Sequence, residues 1–441
     1  MKLLSFRGGV HPPHRKKSTE SIKVERAKDP ATLYIPLQQH IGAPCKAIVN
    51  VGDTVKVGQK IGEAQGFVSA PVHSSVSGKV KAIKECPVPG GKGLCVVIEN
   101  DFANEIHESV VPKGNIDSLT GAEILEIIKE AGIVGMGGAT FPMHVKLSPP
   151  KDKKIDTVIL NGAECEPYLT ADHRLMLEKP ESVVYGLKAI MKVLNVDKGY
   201  IGIEDNKPDA IEAMVKAAEK ESNIEVVGLR TKYPQGAEKQ LIYACTNREV
   251  PSGGLPMEAG VVVNNVATAA QVYESITTGM PLVERITTIT GSAITNPNNL
   301  LIKIGTTFEE IINQCGGFKE EPGKVIMGGP MMGLTQYTLE VPVTKGGSGI
   351  LCLNREEATL PEPSNCIRCG KCVDICPAFL QPLFISAHSL KYNFDRAEDY
   401  RALDCIECGS CSFICPSKRP LLQSIRVAKR EIIAQKRKQS K

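Results

Sequence analysis

Cys366-Ile-Arg-Cys369-Gly-Lys-Cys372-Val-Asp-Ile-Cys376-Pro377 is followed by a second run of the same form, Cys405-Ile-Glu-Cys408-Gly-Ser-Cys411-Ser-Phe-Ile-Cys415-Pro416. Each run holds three cysteines at intervals of three and a fourth before a proline. Three thiolates so spaced on a tight loop reach three irons of one cube, while the cysteine before proline points back to the neighbouring cube. The expected ligands are therefore Cys366, Cys369, Cys372 and Cys415 for one [4Fe-4S] cluster and Cys405, Cys408, Cys411 and Cys376 for the other. Zinc would instead want closed sets of four with a longer gap between two pairs. Two cubes linked in this way must lie close together, as a one-electron relay requires.

The 441 residues around this signal leave room for about three domains. Apolar residues make up 42% and charged residues 23%, as in an ordinary globular protein, and no window approaches the ~20 apolar residues that cross a bilayer. The first residues reach charge and glycine before any apolar core of signal-peptide length, so no secretory signal is expected and the default compartment is the cytosol. Reduced thiols are the rule there, and the clustering of eight of the 15 cysteines points to metal rather than disulfides. The other seven, Cys45, Cys86, Cys95, Cys165, Cys245, Cys315 and Cys352, read as buried small hydrophobes. Net charge is +4, which excludes the strong basicity of a nucleic-acid coat protein, and no nucleic-acid partner is expected. The charge is unevenly placed: nine Lys/Arg against one acid follow Ser417, leaving 44 basic and 48 acidic residues before it.

Residues 1–30 contain His11-Pro-Pro-His-Arg-Lys-Lys17 and few apolar residues, which predicts an extended arm. Over 31–118 short Val/Ile runs alternate with Gly and Pro, the pattern of a small all-β unit. Its two halves, around Val51–Ile61 and Ala70–Val80, resemble a biotinyl/lipoyl-like barrel-sandwich domain without the carrier lysine, so a structural use is expected. From 119 to 280 strand, loop and helix alternate: Thr157–Leu160, Gly199–Glu204 and Ile224–Leu229 as strands, His173–Leu194 and Pro208–Glu221 as helices. Such alternation means a parallel α/β sheet whose ligands lie beyond the carboxyl ends of its strands. Residues 281–340 read as a compact α+β unit, 341–364 as a linker containing Pro361 and Pro363, and 365–420 as the cluster domain. Residues 421–441 read as a basic amphipathic tail, with Leu421, Leu422, Ile425, Ile432 and Ile433 on one face and Arg426, Lys429, Arg430 and Lys436–Lys438 as its cations.

Two loops in the α/β region carry candidate chemistry. In Gly135-Met-Gly-Gly-Ala-Thr-Phe-Pro-Met-His-Val-Lys146 the glycines let backbone N–H groups approach a phosphate whose charge Lys146 neutralises; the same spacing also describes a simple turn. Asn161-Gly-Ala-Glu-Cys-Glu-Pro167 directly follows a strand and sets two carboxylates at the ligand end of the sheet, or in a solvated loop.

These two loops, together with Tyr233-Pro-Gln-Gly-Ala-Glu-Lys239 and Val263-Asn-Asn-Val-Ala-Thr268, resemble the FMN- and NADH-binding subunit of respiratory complex I. With Phe6-Arg-Gly-Gly-Val-His-Pro12 and the two ferredoxin-type runs, nearly the whole chain is similar to the C subunits of Rnf electron transport complexes. The unit around Thr290-Gly-Ser and Ile304-Gly-Thr-Thr-Phe308 is similar to the soluble-ligand-binding β-grasp (SLBB) domain of both. The resemblance implies a multidomain α/β and α+β fold: barrel-sandwich hybrid, Rossmann-like domain, β-grasp domain and helical two-[4Fe-4S] ferredoxin domain. It implies FMN phosphate and ribityl on Gly135, Gly137, Gly138 and Lys146, and the flavin ring against Asn161, Asn264, Asn265 and Thr268. It sets Phe141 against the nicotinamide or adenine of NADH and completes the pocket with Glu164, Glu166, Tyr233 and Glu238. Of these, Glu164 and Glu166 are the expected catalytic carboxylates at the nicotinamide ribose or amide. Departures from the complex I pattern are Met136 (Arg there), Ala163 (Asp), Ala237 (Glu) and Ala267 (Glu).

NADH gives up a hydride, two electrons at once, whereas an iron-sulfur cluster takes one, so a flavin between them is needed. The expectation is a peripheral subunit on the cytoplasmic side of the cell inner membrane. It would exchange electrons between NAD(H) and, indirectly, ferredoxin, with an iron-sulfur subunit and membrane subunits of an ion-translocating complex as partners. The rivals are a soluble flavin iron-sulfur cobalamin reductase of a microcompartment and a cluster-bearing docking scaffold without nucleotide binding.

Overall fold

The structure is a computed structural model and describes residues 2–439. Four short strands pair in the order Val261–Asn265, Thr157–Gly162, Gly199–Glu204, Ile224–Leu229, all parallel. Their Val/Ile/Leu-rich runs are buried on both faces, as parallel strands flanked by helices must be. The helix expected over His173–Leu194 is two helices, Ala171–Glu178 and Pro180–Leu194. Pro180 explains the break: it lacks the N–H that a continuous helix would use, and it begins the second helix as a favoured first residue. The chain moves from the Thr157 strand outward in one direction and returns to add Val261–Asn265 on its other side, so the strand order reverses between these two. A reversal of this kind opens a crevice at the carboxyl ends of the two strands.

The barrel-sandwich unit is a four-stranded sheet (Thr32–Pro36, Gly91–Asn100, Gly78–Val88, Thr54–Val55) against a three-stranded one (Lys46–Ala47, Lys60–Glu63, Val72–His73). Leu33, Ile35, Ile61, Val80 and Ile98 fill the space between. The β-grasp sheet has six strands, ordered Glu25–Arg26, Asn298–Lys303, Glu284–Thr290, Gly349–Asn354, Pro322–Met327, Leu334–Thr335. Its helix Phe308–Gln314 starts at Thr307, whose hydroxyl accepts the Glu310 N–H.

Two expected boundaries are corrected here. Residues 341–364 are not all linker, because Gly349–Asn354 is an interior strand of that sheet with Ile350, Leu351 and Cys352 fully buried. The arm is extended but not free. Leu4 bridges to Leu229, Val10 bridges to Tyr233, and Glu25–Arg26 forms the edge strand beside Leu300–Leu301.

In the cluster domain the two cysteine runs are conformational copies. Arg368 and Glu407 have φ of 57° and 58°, Gly370 and Gly409 both 77°, and Phe379 and Lys418 54° and 50°. Each member lies at the same place in its run, and the repeated left-handed residues wind three cysteines around a common centre. The final helix, Leu421–Gln439, corrects the expectation of a separate tail. Leu421, Leu422, Ile425, Ala428 and Ile432 are buried, packed largely against the helices Pro382–Ser389 and Phe394–Asp399. The stripe is used up in closing the domain, and Ile433, expected on that face, is 40% exposed. Ser440 and Lys441 of the expected tail, and Met1 of the arm, lie outside the described residues.

Candidate functional site

The crevice at the strand reversal is walled by the expected flavin residues. Asn161 and Asn265 are register partners across the two strands. Asn161 accepts the Ala163 N–H and donates to the Gly236 carbonyl, tying its own loop to the Tyr233–Lys239 loop. Asn265 caps the helix Val266–Thr277 by accepting the Ala267 N–H, and donates to Asp172 at 2.6 Å. The glycine-rich loop closes the crevice: the Met136 N–H donates to Thr268 Oγ1 at 2.9 Å, and a Cβ at Gly137 would stand 2.6 Å from the Asn265 amide. Lys146 Nζ reaches into the same space, 2.8 Å from Glu238 and 2.6 Å from the Val263 carbonyl.

Gly135, Gly137, Gly138, Lys146, Asn161, Glu238, Asn264, Asn265 and Thr268 are thus brought together. Phe141 is half-buried, with its carbonyl accepting the Gly135 N–H at the base of the loop. The donor set fits a flavin mononucleotide. Among the described residues the buried Asn264 Nδ2 has no hydrogen-bond partner, Gly138 has open space where a side chain would stand, and the Lys146 ammonium sits on the carbonyl of Val263, the residue before Asn264. A phosphate needs N–H donors and a cation in that arrangement.

In the acidic loop the Glu164 side chain is 5% exposed, its backbone stands at φ 45°, and its carboxylate accepts the N–H groups of Asp172 and His173, the open donors at the start of a helix. Lys16 of the arm lies 3.7 Å from its carboxylate and donates to its carbonyl. Glu166 accepts from Met331 N at 3.0 Å and Met332 N at 2.9 Å, pinning the β-grasp turn to the α/β domain. Burial pushes both carboxyls, and that of Glu204, up to about 7. The oxygens of Glu164 and Glu166 accept from the protein's own backbone donors, which ties the acidic loop to the helix Ala171–Glu178 and to the β-grasp turn. Sequence reasoning misses their partners Lys16, Asp172 and Lys207. In the sequence Lys16 is only one cation of a basic stretch, and nothing local marks it as buried.

In the cluster domain Cys376, Cys405, Cys408 and Cys411 line one small cavity. Pro377, Ala378, Leu380, Ile406, Leu422 and Ile425 complete its wall. This is the cross-run set expected from the spacing. Burial pushes the Cys411 thiol up to about 12 and Cys405 up to about 11, and the neighbouring cysteines push the same way. Four thiolates in so small a space are tolerable only around a cationic core, so the donors fit an iron-sulfur cube. Cys372 lies within electrostatic reach of both Cys415 and Cys366, again across the runs. Cys366 and Cys369 are exposed, whereas Cys376, Cys408 and Cys411 are buried. Of the seven isolated cysteines, Cys45, Cys86, Cys95, Cys315 and Cys352 are buried as expected, and Cys165 and Cys245 are partly so.

One thin layer separates crevice and cavity. Tyr233, expected to line the flavin pocket, is packed with Val10 and Cys408, with Cys165, Met331, Ile375 and Ile406 around them. Cys165 accepts the Gly236 N–H at 3.3 Å, and Gly236 packs against Asn161. Gln240, two residues beyond Glu238, donates to the Pro377 carbonyl at 3.0 Å. The arm crosses the same layer: the Gly9 N–H donates to the Ile375 carbonyl, and a Cβ on Gly8 would lie 2.9 Å from that oxygen. The Gly8-Gly9 pair is the sequence signal for this close approach.

Comparison with known proteins divides the chain in the same way. Residues 4–103 match the RnfC barrel sandwich hybrid domain, 128–274 the Nuo51 FMN-binding domain, 286–335 the SLBB domain and 358–416 a 4Fe-4S dicluster domain. The chain is 59% identical to the C subunit of the Na(+)-translocating ferredoxin:NAD(+) oxidoreductase complex of Acetobacterium woodii, over 98% of both chains. It is 55% identical to the C subunit of the proton-translocating ferredoxin:NAD(+) oxidoreductase complex of Clostridium ljungdahlii, over 97% of this chain and 94% of that one. It is 42% identical to the C subunit of the ion-translocating oxidoreductase complex of Rhodobacter capsulatus, over 97% and 83%. Among solved structures, a chain of an NAD+-reducing [NiFe]-hydrogenase in the air-oxidized state superposes with a TM-score of 0.50 at 17% identity. That match covers 72% of this chain and 64% of the other, and at such identity it speaks for the fold alone.

Proposed function

The chain belongs to the C-subunit family of ion-translocating ferredoxin:NAD oxidoreductase complexes, and from that premise we propose that it is the subunit at which NAD(H) meets the complex. FMN, when bound, takes a hydride's two electrons and releases them one at a time to two [4Fe-4S] clusters. The protein's share is placement. Gly137, Gly138 and Lys146 would hold the flavin phosphate, and Asn161, Asn264 and Asn265 would face the ring. Cys376, Cys405, Cys408 and Cys411 would hold the cube nearer the flavin, and Cys366, Cys369, Cys372 and Cys415 the outer one. The single observation that carries this reading is the shared layer of Tyr233, Cys165 and Val10 between crevice and cysteine cavity.

The same layer gives the relay a direction in space. Cys376, Cys408 and Cys411 are buried, with Cys408 packed against Tyr233 of the α/β domain, whereas Cys366 and Cys369 are exposed. The outer cube is where electrons would pass to or from a partner subunit of the complex, and through it to ferredoxin. Among the described residues no helix is long and apolar enough to cross a membrane. We assign this subunit to the membrane as a peripheral component on its cytoplasmic side, with ion translocation carried by its partners.

The test is to release flavin from the purified protein by denaturation and, separately, to titrate the native protein anaerobically with NADH while recording cluster EPR. FMN in the supernatant and cluster signals appearing with NADH are expected. The Lys146→Ala protein should keep its iron but bind FMN about ten- to a hundredfold more weakly, since charge-assisted contacts to phosphate are the strong ones. Absence of flavin from the wild-type protein would return the chain to the scaffold reading.

A further inference from the structure

Arg285, the second residue of the strand Glu284–Thr290, is 2% exposed and carries its charge into the junction of three domains. Its Nη1 donates to the Met136 carbonyl at 3.2 Å and the Lys345 carbonyl at 2.6 Å, and its Nε to the Ile286 carbonyl at 3.2 Å. Lys345 in turn donates from Nζ to the carbonyls of Pro71 in the barrel-sandwich unit and Gly132 at the start of the glycine loop. Met136 is therefore gripped at both ends, its N–H by Thr268 and its carbonyl by Arg285. The acid that acts on Arg285 is Asp172, itself bonded to the flavin-facing Asn265.

A trans peptide is planar, with its C=O and N–H pointing in opposite directions. Fixing the Met136 carbonyl toward the β-grasp domain consequently turns the Gly137 N–H the other way. Among the described residues the N–H groups of Gly137 and Gly138 donate to no protein acceptor, which leaves them free for an anion. We propose that Arg285 is a positioning residue for the flavin site: without touching the flavin, it holds the Met136 peptide so that the glycine loop presents its N–H groups to the phosphate. The β-grasp domain then has a part in flavin binding. A buried guanidinium held mainly by carbonyl dipoles is otherwise an expensive way to join domains, since apolar residues do so more stably.

This inference rests on the flavin reading above, and the test separates the two. Full-length Arg285→Met and Arg285→Lys proteins are stripped of flavin and titrated with FMN well below their melting temperatures, with iron content as a control. Hydrogen exchange of residues 135–141 is measured in the flavin-free state. Loss of FMN affinity by about ten- to a hundredfold in Arg285→Met, with iron retained and faster exchange in the loop, is the expected result. Arg285→Lys keeps the charge but not the planar fork, so it should fold, and should lose affinity while its melting temperature stays near wild type. It decides the matter if the Met variant does not fold. Wild-type FMN affinity and exchange in the Lys variant would overturn the proposal, whereas a wild-type protein that binds no FMN would overturn the flavin reading itself.

Discussion

Replacing Cys376 by Ala removes a ligand that sits in the first cysteine run but faces the cavity of the second. Cys376 shares that cavity with Cys405, Cys408 and Cys411, whereas Cys372 of its own run lies near Cys366 and Cys415. Two cubes carry about eight irons, so losing one lowers the content to about four per chain. The lost cube should be the flavin-side one. The remaining cluster should still be reducible by dithionite but no longer by NADH, because its only neighbour in the relay is gone. Alanine is preferred to serine because its methyl cannot serve as a substitute ligand. Iron analysis, EPR of dithionite- and NADH-reduced samples, and bleaching of the flavin band by NADH together read the outcome. If the four missing irons belong to the cluster of Cys366, Cys369 and Cys372, or if NADH still reduces the survivor at the wild-type rate, the cross-run assignment and the spatial order of the relay both fail.

Two further outcomes follow from the buried acids and the last helix. Glu164, Glu166 and Glu204 are each raised from 4.5 to about 7, so the folded protein keeps protons that the unfolded chain has released. Stability should therefore fall as pH rises from about 5 through 7 and level off above, by up to about 3 kcal/mol for one such group and less than the sum for three coupled ones. Unfolding midpoints at pH 5 to 8 for wild type and Glu166→Gln check this; the variant should have a shallower slope, and a rise in midpoint across that window would refute the reasoning. Deleting Ala428–Lys441 should reduce iron content, because Ala428 and Ile432 are core residues of the cluster domain. Changing the exposed Arg430, Arg437 and Lys438 to Gln should spare the iron and weaken co-sedimentation with anionic vesicles at low salt, at about 1 kcal/mol per charge. Unchanged sedimentation would leave the helix no role beyond closing the domain.

What is legible in the sequence is what local spacing determines. The cysteine runs disclose which thiols share a cavity because a side chain's reach depends on three or four residues of backbone. The parallel strands are legible because their fully apolar runs alternate with helical periods. Gly349-Ile-Leu-Cys-Leu-Asn354 escapes notice because a short buried strand has no alternation, and the prolines at 361 and 363 mark the stretch as a linker. The last helix misleads because an amphipathic stripe looks the same whether it covers a domain or lies on a membrane. The protein partners of Glu164 and Glu166 are not legible because they are remote: Lys16 is 148 residues from Glu164, and Met331 is 165 from Glu166. Only the fold brings such donors to a carboxylate.

The arm explains why these domains form one electron path. Interfaces between domains of one chain ordinarily allow relative motion, and a relay between flavin and clusters requires their separation to stay fixed. Residues 4–26 cross each boundary with backbone hydrogen bonds. The Leu4 N–H donates to the Gly228 carbonyl in the α/β sheet, the Gly9 N–H to Ile375 in the cluster loop, and Val10 exchanges bonds with Tyr233 between the two. Lys16 then enters beneath Glu164, and Glu25–Arg26 closes the edge of the β-grasp sheet. Backbone bonds constrain sequence little except where the approach is closest. There the chain has Gly8 and Gly9, both at φ 85°, with a Cβ on Gly9 standing 2.7 Å from the Tyr233 carbonyl. A side chain at either position would be strained in this left-handed conformation and would push the arm off the layer between crevice and cavity. The pair therefore holds the arm against both the α/β domain and the cluster loop, and so helps to fix the spacing between them.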